Sequence, residues 1–166
     1  MTAGDFAGPA HRCRDGWLTL LELSTQEVFE LMLGSHLQIS GNTEPFGIEV
    51  TAMVGLAGQL RGILSVHCSV EAATRMASHM LKLEVEDARS EMADALGEIC
   101  NMVAGNFKSK ISGLGEHCFL SPPTVVTGTD YSLLLHTEDS GLQIRLWFED
   151  MPLDVSLRVP SPGGES

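Results

Sequence analysis

The sequence predicts an α+β domain, in which a mainly antiparallel sheet of about six strands packs against three helices. Two observations support this class. Segments with alternating apolar and polar residues, which are typical of half-buried strands, lie on both sides of a block with helical spacing. Because strands and helices come in blocks rather than in strict alternation, antiparallel pairing is favoured over a parallel sheet.

The chain of 166 residues is long enough for one such domain, and 43% of its residues are apolar. A domain of this size buries about two-thirds of the surface that its unfolded chain exposes, so it needs no metal or disulfide for stability. We expect a single domain over residues 17–159. The small and polar residues 1–16 and the turn-forming residues 160–166 are expected to be flexible.

The first helix is predicted to begin at Ser24, which precedes Glu27 by three residues as in a capping box. It continues through Val28, Leu31 and Met32 at helical spacing. The next two apolar segments, joined by the Gly-rich stretch GLAGQLRG, alternate like strands and predict a hairpin. They cover residues 47–54 and 63–68.

Two more helices are expected after the hairpin. Ser69 is predicted to cap a helix that ends near Leu81, and a longer helix is predicted from about Asp87 to Ile111, ending at Gly113 and Gly115. Strands then return, since the remaining apolar segments alternate again. They comprise a short extended segment around Pro122 and Pro123, residues 131–136, residues 142–148 and residues 153–159.

The charge of the chain excludes several function classes. Ten Lys and Arg against 22 Asp and Glu give a formal net charge of −12, which repels nucleic acid and anionic membranes over most of the surface. No apolar run approaches a membrane span of about 18 residues, and the N-terminus does not resemble a signal peptide. We therefore expect a cytoplasmic protein that binds neither nucleic acid nor a membrane.

Four cysteines, Cys13, Cys68, Cys100 and Cys118, are scattered without a CxxC pair, which favours reduced and mostly buried thiols. No run has the usual spacing of zinc ligands, so no metal site is expected. The serines and histidines lack the sequence context of a hydrolase triad, and the glycines of GLAGQLRG lack the Lys-Ser/Thr ending of a phosphate-binding loop.

The long helix has two different faces when its residues are placed at about 100° per step. Its apolar residues, which form the predicted core face, are Met92, Leu96, Ile99, Val103 and Phe107. The polar residues fall within about 40° of Asp94 on the opposite side. These are Glu98, Asn101, Gly105 and Lys108.

Outward charges of this kind are also what any amphipathic helix presents to solvent. Two residues argue for more than solvation. Asn101 has a poor helix propensity, and Gly105 costs about 1 kcal/mol relative to alanine inside a helix. Gly105 leaves the helix surface flat beside Glu98 and Asn101, so another protein can approach closely there.

The run DALGEICNMVAGN from Asp94, followed by GLGEHCFLSPPTVVTG, resembles the CheX branch of the CheC/CheX/FliY chemotaxis phosphatases. The signature of this family is Asp or Ser, then Glu four residues later, Asn three residues after that, and a downstream proline. Here these residues are Asp94, Glu98, Asn101, and Pro122 or Pro123. The resemblance is strong over residues 90–130 and extends over residues 17–159 by the order of elements alone.

The resemblance implies a CheC-like fold of an antiparallel sheet with helices, a homodimer, and a phosphorylated CheY-like response-regulator receiver domain as substrate. It also implies that Asn101 orients the attacking water and that Glu98 pairs with the receiver lysine. Asp94, Gly105 and Lys108 would contact the partner. The chain itself would bind no cofactor, because Mg²⁺ belongs to the receiver.

Family members of the CheC type carry two copies of the signature. The first helix here has Glu27 and Glu30 without an asparagine in register, which indicates one active face per chain. An alternative remains open, since the same helix surface would serve a receiver-binding or flagellar-switch adaptor that hydrolyses nothing.

Overall fold

Seven strands form one antiparallel sheet in the part of the chain that this computed structural model describes, which comprises residues 9–42, 44–111, 117–129, 131 and 141–159, with side chains from residue 16. The strand order is β1-β6-β7-β3-β2-β4, and β5 also pairs with β2. The strands are β1 Gln38–Ile39, β2 Val50–Gly58, β3 Gly62–Cys68, β4 Cys118–Leu120, β5 Thr124–Thr127, β6 Gly141–Phe148 and β7 Met151–Arg158.

Every strand pair is antiparallel, as the block arrangement of the sequence predicted. The hairpin of β2 and β3 is confirmed, with Val50 opposite Cys68 and Leu56 opposite Gly62. The β6–β7 hairpin turns through Glu149 and Asp150, both at positive φ, which suits the twist of a tight two-residue turn. Neither residue is glycine, so this turn lacks the usual sequence signal of a two-residue hairpin.

The helices are α1 Pro9–Leu33, α2 Val70–Leu81, α3 Val85–Ala88 and α4 Met92–Lys110. Three of them, α1, α2 and α4, pack together and against the sheet. Alternate residues of the strands, such as Val54, Val66 and Val155, are fully buried in the same core cluster as Phe29 and Leu96. This arrangement confirms the predicted three helices on an antiparallel sheet.

The first helix begins at Pro9 rather than at Ser24, so the predicted start of that helix is wrong. Ser24 is fully buried within the helix, and its hydroxyl donates to the carbonyl of Leu20 at 2.6 Å. Thr25 donates in the same way to Leu21 at 2.8 Å. These bonds satisfy the hydroxyls inside the helix, whereas the sequence pattern alone resembled a cap.

The predicted cap of α2 is confirmed, because the Ser69 hydroxyl accepts a hydrogen bond from the Ala72 amide. The long helix predicted from Asp87 is instead divided. A 3-10 turn at Arg89–Glu91 separates α3 from α4, and no glycine or proline marks this break in the sequence. Helix α4 ends at Lys110, and the predicted stop at Gly113 and Gly115 lies outside the described residues.

The strands predicted over residues 142–148 and 153–159 are confirmed as β6 and β7. Two prolines separate β4 from β5, where the sequence predicted a single extended segment. Most of the strand predicted over residues 131–136, and the predicted C-terminal tail of residues 160–166, lie outside the described residues. Within the described residues, no helix is long and apolar enough to cross a membrane.

Candidate active site

Helix α4 presents one polar stripe and one buried face, as its sequence predicted. Asp94 and Glu98 are exposed, and Asn101 and Gly105 are half-buried at the surface. The residues Leu96, Ile99, Val103 and Phe107 on the opposite face are fully buried. Met92, which was predicted for the core face, is partly buried and packs against that core. The helix therefore exposes a carboxylate and a carboxamide about one turn apart on the same side.

The side chains of Glu98 and Asn101 make no hydrogen bond or ion pair with any described residue. Over the same residues, no buried side-chain nitrogen or oxygen lacks a partner. The amide of Asn101 is therefore accessible to solvent rather than buried without a partner. Both of its hydrogen-bonding groups are available to a water molecule or a second protein.

A segment of chain before β5 forms one side of the site. It runs from Leu120 to Pro123 along the row of helix positions 97, 101 and 105. A Cβ added at Gly97 would lie 3.5 Å from the Pro123 Cβ, and one added at Gly105 would lie 3.8 Å from the Leu120 Cδ1. Asn101 is the only residue of this row with a side chain beyond the backbone. Of the two candidate prolines of the signature, Pro123 contacts the helix in this row.

Ser121 holds this segment to the sheet. Its backbone amide donates to the Gly55 carbonyl at 2.9 Å, and its hydroxyl accepts from the Gly55 amide at 2.8 Å. Between β4 and β5, the Ser121 hydroxyl thus takes the place of a backbone carbonyl and accepts from an amide of β2. Pairing with β2 is interrupted at the prolines and resumes at Thr124. The segment from Leu120 to Pro123, which forms a wall beside Asn101, is therefore held to β2 on both sides of the prolines.

The C-terminal half of α1 forms the other side of the site. The Asn106 side chain donates to the Glu27 carboxylate at 2.8 Å and to the Ser24 carbonyl at 3.3 Å. Lys110 forms an ion pair with the same carboxylate at 2.8 Å. Bonds from Lys110 and Asn106 hold the pKa of Glu27 below its ordinary value. Glu27 therefore joins α1 to α4.

Lys108, predicted to contact the partner, has a structural bond of its own. Its ammonium donates to the Cys118 carbonyl at 2.8 Å and so ties α4 to β4. Its place in the polar stripe is explained by this bond. Gly105 has no comparable explanation. Among the described residues, the only atom that an added Cβ would meet lies at ordinary van der Waals distance.

The cysteine prediction is confirmed where side chains are described. Cys68, Cys100 and Cys118 are buried and form no disulfide. Burial raises the pKa of the Cys68 and Cys100 thiols to about 12, so neither is a nucleophile at neutral pH. Over the described residues, no group of three His, Cys, Asp or Glu side chains is arranged to hold a metal ion.

Residues 50–146, more than half of the chain, match the family model described as chemotaxis phosphatase CheX. This chain belongs to the CheX family. A CheX relative from Thermotoga maritima, named CheY-P phosphatase CheX, is 32% identical over 133 residues. The match covers 78% of this chain and 79% of that protein.

Solved structures of CheX and CheC-like proteins share the fold. The CheX–CheY–BeF3–Mg²⁺ complex from Borrelia burgdorferi matches with a TM-score of 0.72 at 21% identity, over 87% of this chain and 98% of that one. A CheC-like superfamily protein from Shewanella sp. PV-4 matches with a TM-score of 0.74 at 20% identity, over 87% and 97%. These matches confirm the predicted CheC-like fold.

Two features of the site were not predicted from the sequence. Leu31 was assigned to the apolar face of the first helix, yet 78% of its surface is exposed beside Asn101. The wall from Leu120 to Pro123 was also not foreseen. The four-residue spacing of Gly97, Asn101 and Gly105 was the available indication, because two glycines on one helical row allow close approach of another segment.

Proposed function

We propose that this chain is a phosphatase that accelerates hydrolysis of the aspartyl phosphate on a CheY-like receiver domain. The observation that carries this proposal is the outward pair of Glu98 and Asn101, which the described residues leave without internal partners. The Thermotoga maritima relative is named a CheY-P phosphatase, and the Borrelia burgdorferi CheX was crystallised with CheY, BeF3 and Mg²⁺. Both names support the same substrate.

Asn101 is proposed to orient the attacking water. Its carbonyl oxygen accepts a hydrogen bond from the water, and its NH₂ group can donate to a phosphoryl oxygen. The water oxygen attacks phosphorus in line, the bond between phosphorus and the aspartate oxygen breaks, and inorganic phosphate and the free carboxylate result. An aspartate carboxylate is a good leaving group, so positioning of the water is the main contribution left for a second protein.

Glu98 is proposed to pair with the lysine of the receiver phosphorylation site. A carboxylate about one turn from Asn101 on the same face would fix the docked geometry through a charge-assisted bond. Asp94 lies further along the stripe and would add a supporting contact. Lys108 would contribute through its attachment to β4 as well as through any contact with the partner.

We further propose that the chain binds no cofactor of its own and that the Mg²⁺ of the reaction is held by the receiver. The family resemblance supports a homodimer. Strand β7 pairs with β6 on one side and β3 on the other, so it offers no free edge for the dimer. A cytoplasmic location follows from the proposed substrate, because response-regulator receivers work beside the cytoplasmic signalling proteins that phosphorylate them.

The test is loss of radiolabelled phosphate from a purified CheY-like receiver, with and without this protein at less than one molecule per ten receivers. Faster loss at that ratio requires turnover and supports the phosphatase. A non-catalytic adaptor would bind the phosphorylated receiver in a pull-down yet leave the decay rate unchanged. A panel of receivers from the same genome would identify the cognate substrate.

A further inference from the structure

An open groove of about 480 Å³ lies between the end of α1 and the polar stripe of α4. Its apolar lining comes from three elements: Val28 and Leu31 from α1, Met102 from α4 and Leu120 from β4. Asn101 and Gly105 line the same groove. The groove is therefore continuous with the residues to which the chemistry is assigned.

Leu31 is the most exposed large apolar side chain of the described residues, at 78%. Single apolar residues on a protein surface are ordinary and need no explanation. Leu31 differs because it shares a concave surface with three other apolar side chains beside a candidate active site. A partner side chain seated in the groove would remove several of them from water together.

The groove is fixed in position before any partner binds. The bonds of Glu27 to Asn106 and Lys110 hold α1 against α4 beside the groove. A surface that needs no rearrangement loses less conformational freedom on binding than a mobile one. Of the described residues that line the groove, Glu27 alone is charged, and its carboxylate is already paired. The groove thus offers an apolar contact rather than a site for a cation.

We propose that this groove is a docking subsite for the receiver. An apolar side chain at the rim of the receiver's phosphorylation pocket packs between Leu31 and Leu120 while Glu98 and Asn101 enter the pocket. This inference rests on the proposed function and adds a specificity determinant to it. The polar stripe of α4 recognises features that all receivers share. The groove selects receivers with an apolar residue at the matching position on the rim.

The test compares Leu31→Gln with Leu23→Gln. Both positions lie on α1, and glutamine has nearly the helix propensity of leucine. Leu23 is 45% exposed, does not line the groove, and lies two turns away, about 12 Å along the helix. We expect Leu31→Gln to raise KM for the phosphorylated receiver about tenfold with kcat nearly unchanged, a loss of about 1.4 kcal/mol. Leu23→Gln should leave both constants near those of the unmodified protein.

Docking is measured separately with a receiver held in its phosphorylated conformation by beryllofluoride and Mg²⁺, for which no turnover is needed. Weaker binding by Leu31→Gln alone supports the groove even if the unmodified protein proves to be an adaptor. Equal binding by both variants overturns the inference and leaves the phosphatase proposal intact. Sedimentation of each variant gives the remaining outcome, because dissociation of a dimer by Leu31→Gln would show that a second copy occupies the groove.

Discussion

Helix α4 takes part in two pairs of a glutamate and an asparagine. The pairs differ in their hydrogen-bond partners. Asn106 donates to Glu27 at 2.8 Å, and Lys110 completes the cluster, so this pair holds two helices together. Glu98 and Asn101 make no such bond among the described residues. The same two residue types thus serve the fold in one place and remain available to a partner in the other.

The largest effect is expected from Asn101→Ala. Loss of the amide that orients water should lower the rate of receiver dephosphorylation about 100-fold, equivalent to about 2.7 kcal/mol of activation free energy. The side chain has no bond to a described residue and alanine favours the helix, so the midpoint of thermal unfolding should not fall. Turnover close to that of the unmodified protein would exclude the assigned role.

Asn106→Ala is the matched control for that variant. It removes the same amide from a position where two hydrogen bonds hold α1 to α4. We expect its free energy of unfolding to fall by about 1–2 kcal/mol, measured by urea denaturation, because Glu27 and the Ser24 carbonyl lose a donor. Equal stability of the two variants would contradict the contrast between the pairs.

Glu98→Gln should weaken productive docking by about tenfold in kcat/KM, since a neutral amide pairs less well with a lysine than a carboxylate does. The assignment is sharpened by a receiver whose active-site lysine is replaced by alanine. If the two groups pair, the combined loss will be smaller than the product of the separate losses. Independent, multiplicative losses would place Glu98 elsewhere in the interface.

Gly105→Ala is expected to change the stability of the fold and the binding of the receiver in opposite directions. The added methyl has room and favours the helix, so the free energy of unfolding should rise by up to about 1 kcal/mol, while receiver binding weakens. Gly97→Ala is the control, because its Cβ would lie 3.2 Å from the Val125 Cγ2 and crowd Pro123. It should be less favourable for stability than Gly105→Ala. Gly105→Ala with unchanged docking would leave the glycine unexplained.

The smallest effect concerns the acid stability that Glu27 provides. Its pKa is lowered in the folded protein by Lys110 and Asn106, so its contribution is complete above the unfolded pKa of about 4.3 and is lost as the pH falls through the folded pKa. Glu27→Gln should therefore be less stable than the unmodified protein at pH 7, with the difference shrinking below about pH 4. Urea denaturation at a series of pH values measures this difference, and one that stayed constant with pH would contradict the ion pair.

Several parts of the fold were predictable because local patterns and tertiary packing agree there. The alternation of Leu142 to Phe148 and the cap at Ser69 both gave correct elements. Ser24 shows where such reasoning fails, since its pattern with Glu27 resembles a cap but lies inside a helix. Its hydroxyl bonds back to Leu20, and only burial by the rest of the fold distinguishes the two structures.

The sequence by itself determined the α+β class and the stripe that carries Glu98 and Asn101, because a helix of known period fixes which residues share a face. Tertiary structure alone decided what surrounds that stripe. The contacts of Pro123 with Gly97 and of Glu27 with Asn106 join positions more than 20 residues apart in the chain. No local period encodes such contacts, which depend on how helices and strands pack in three dimensions.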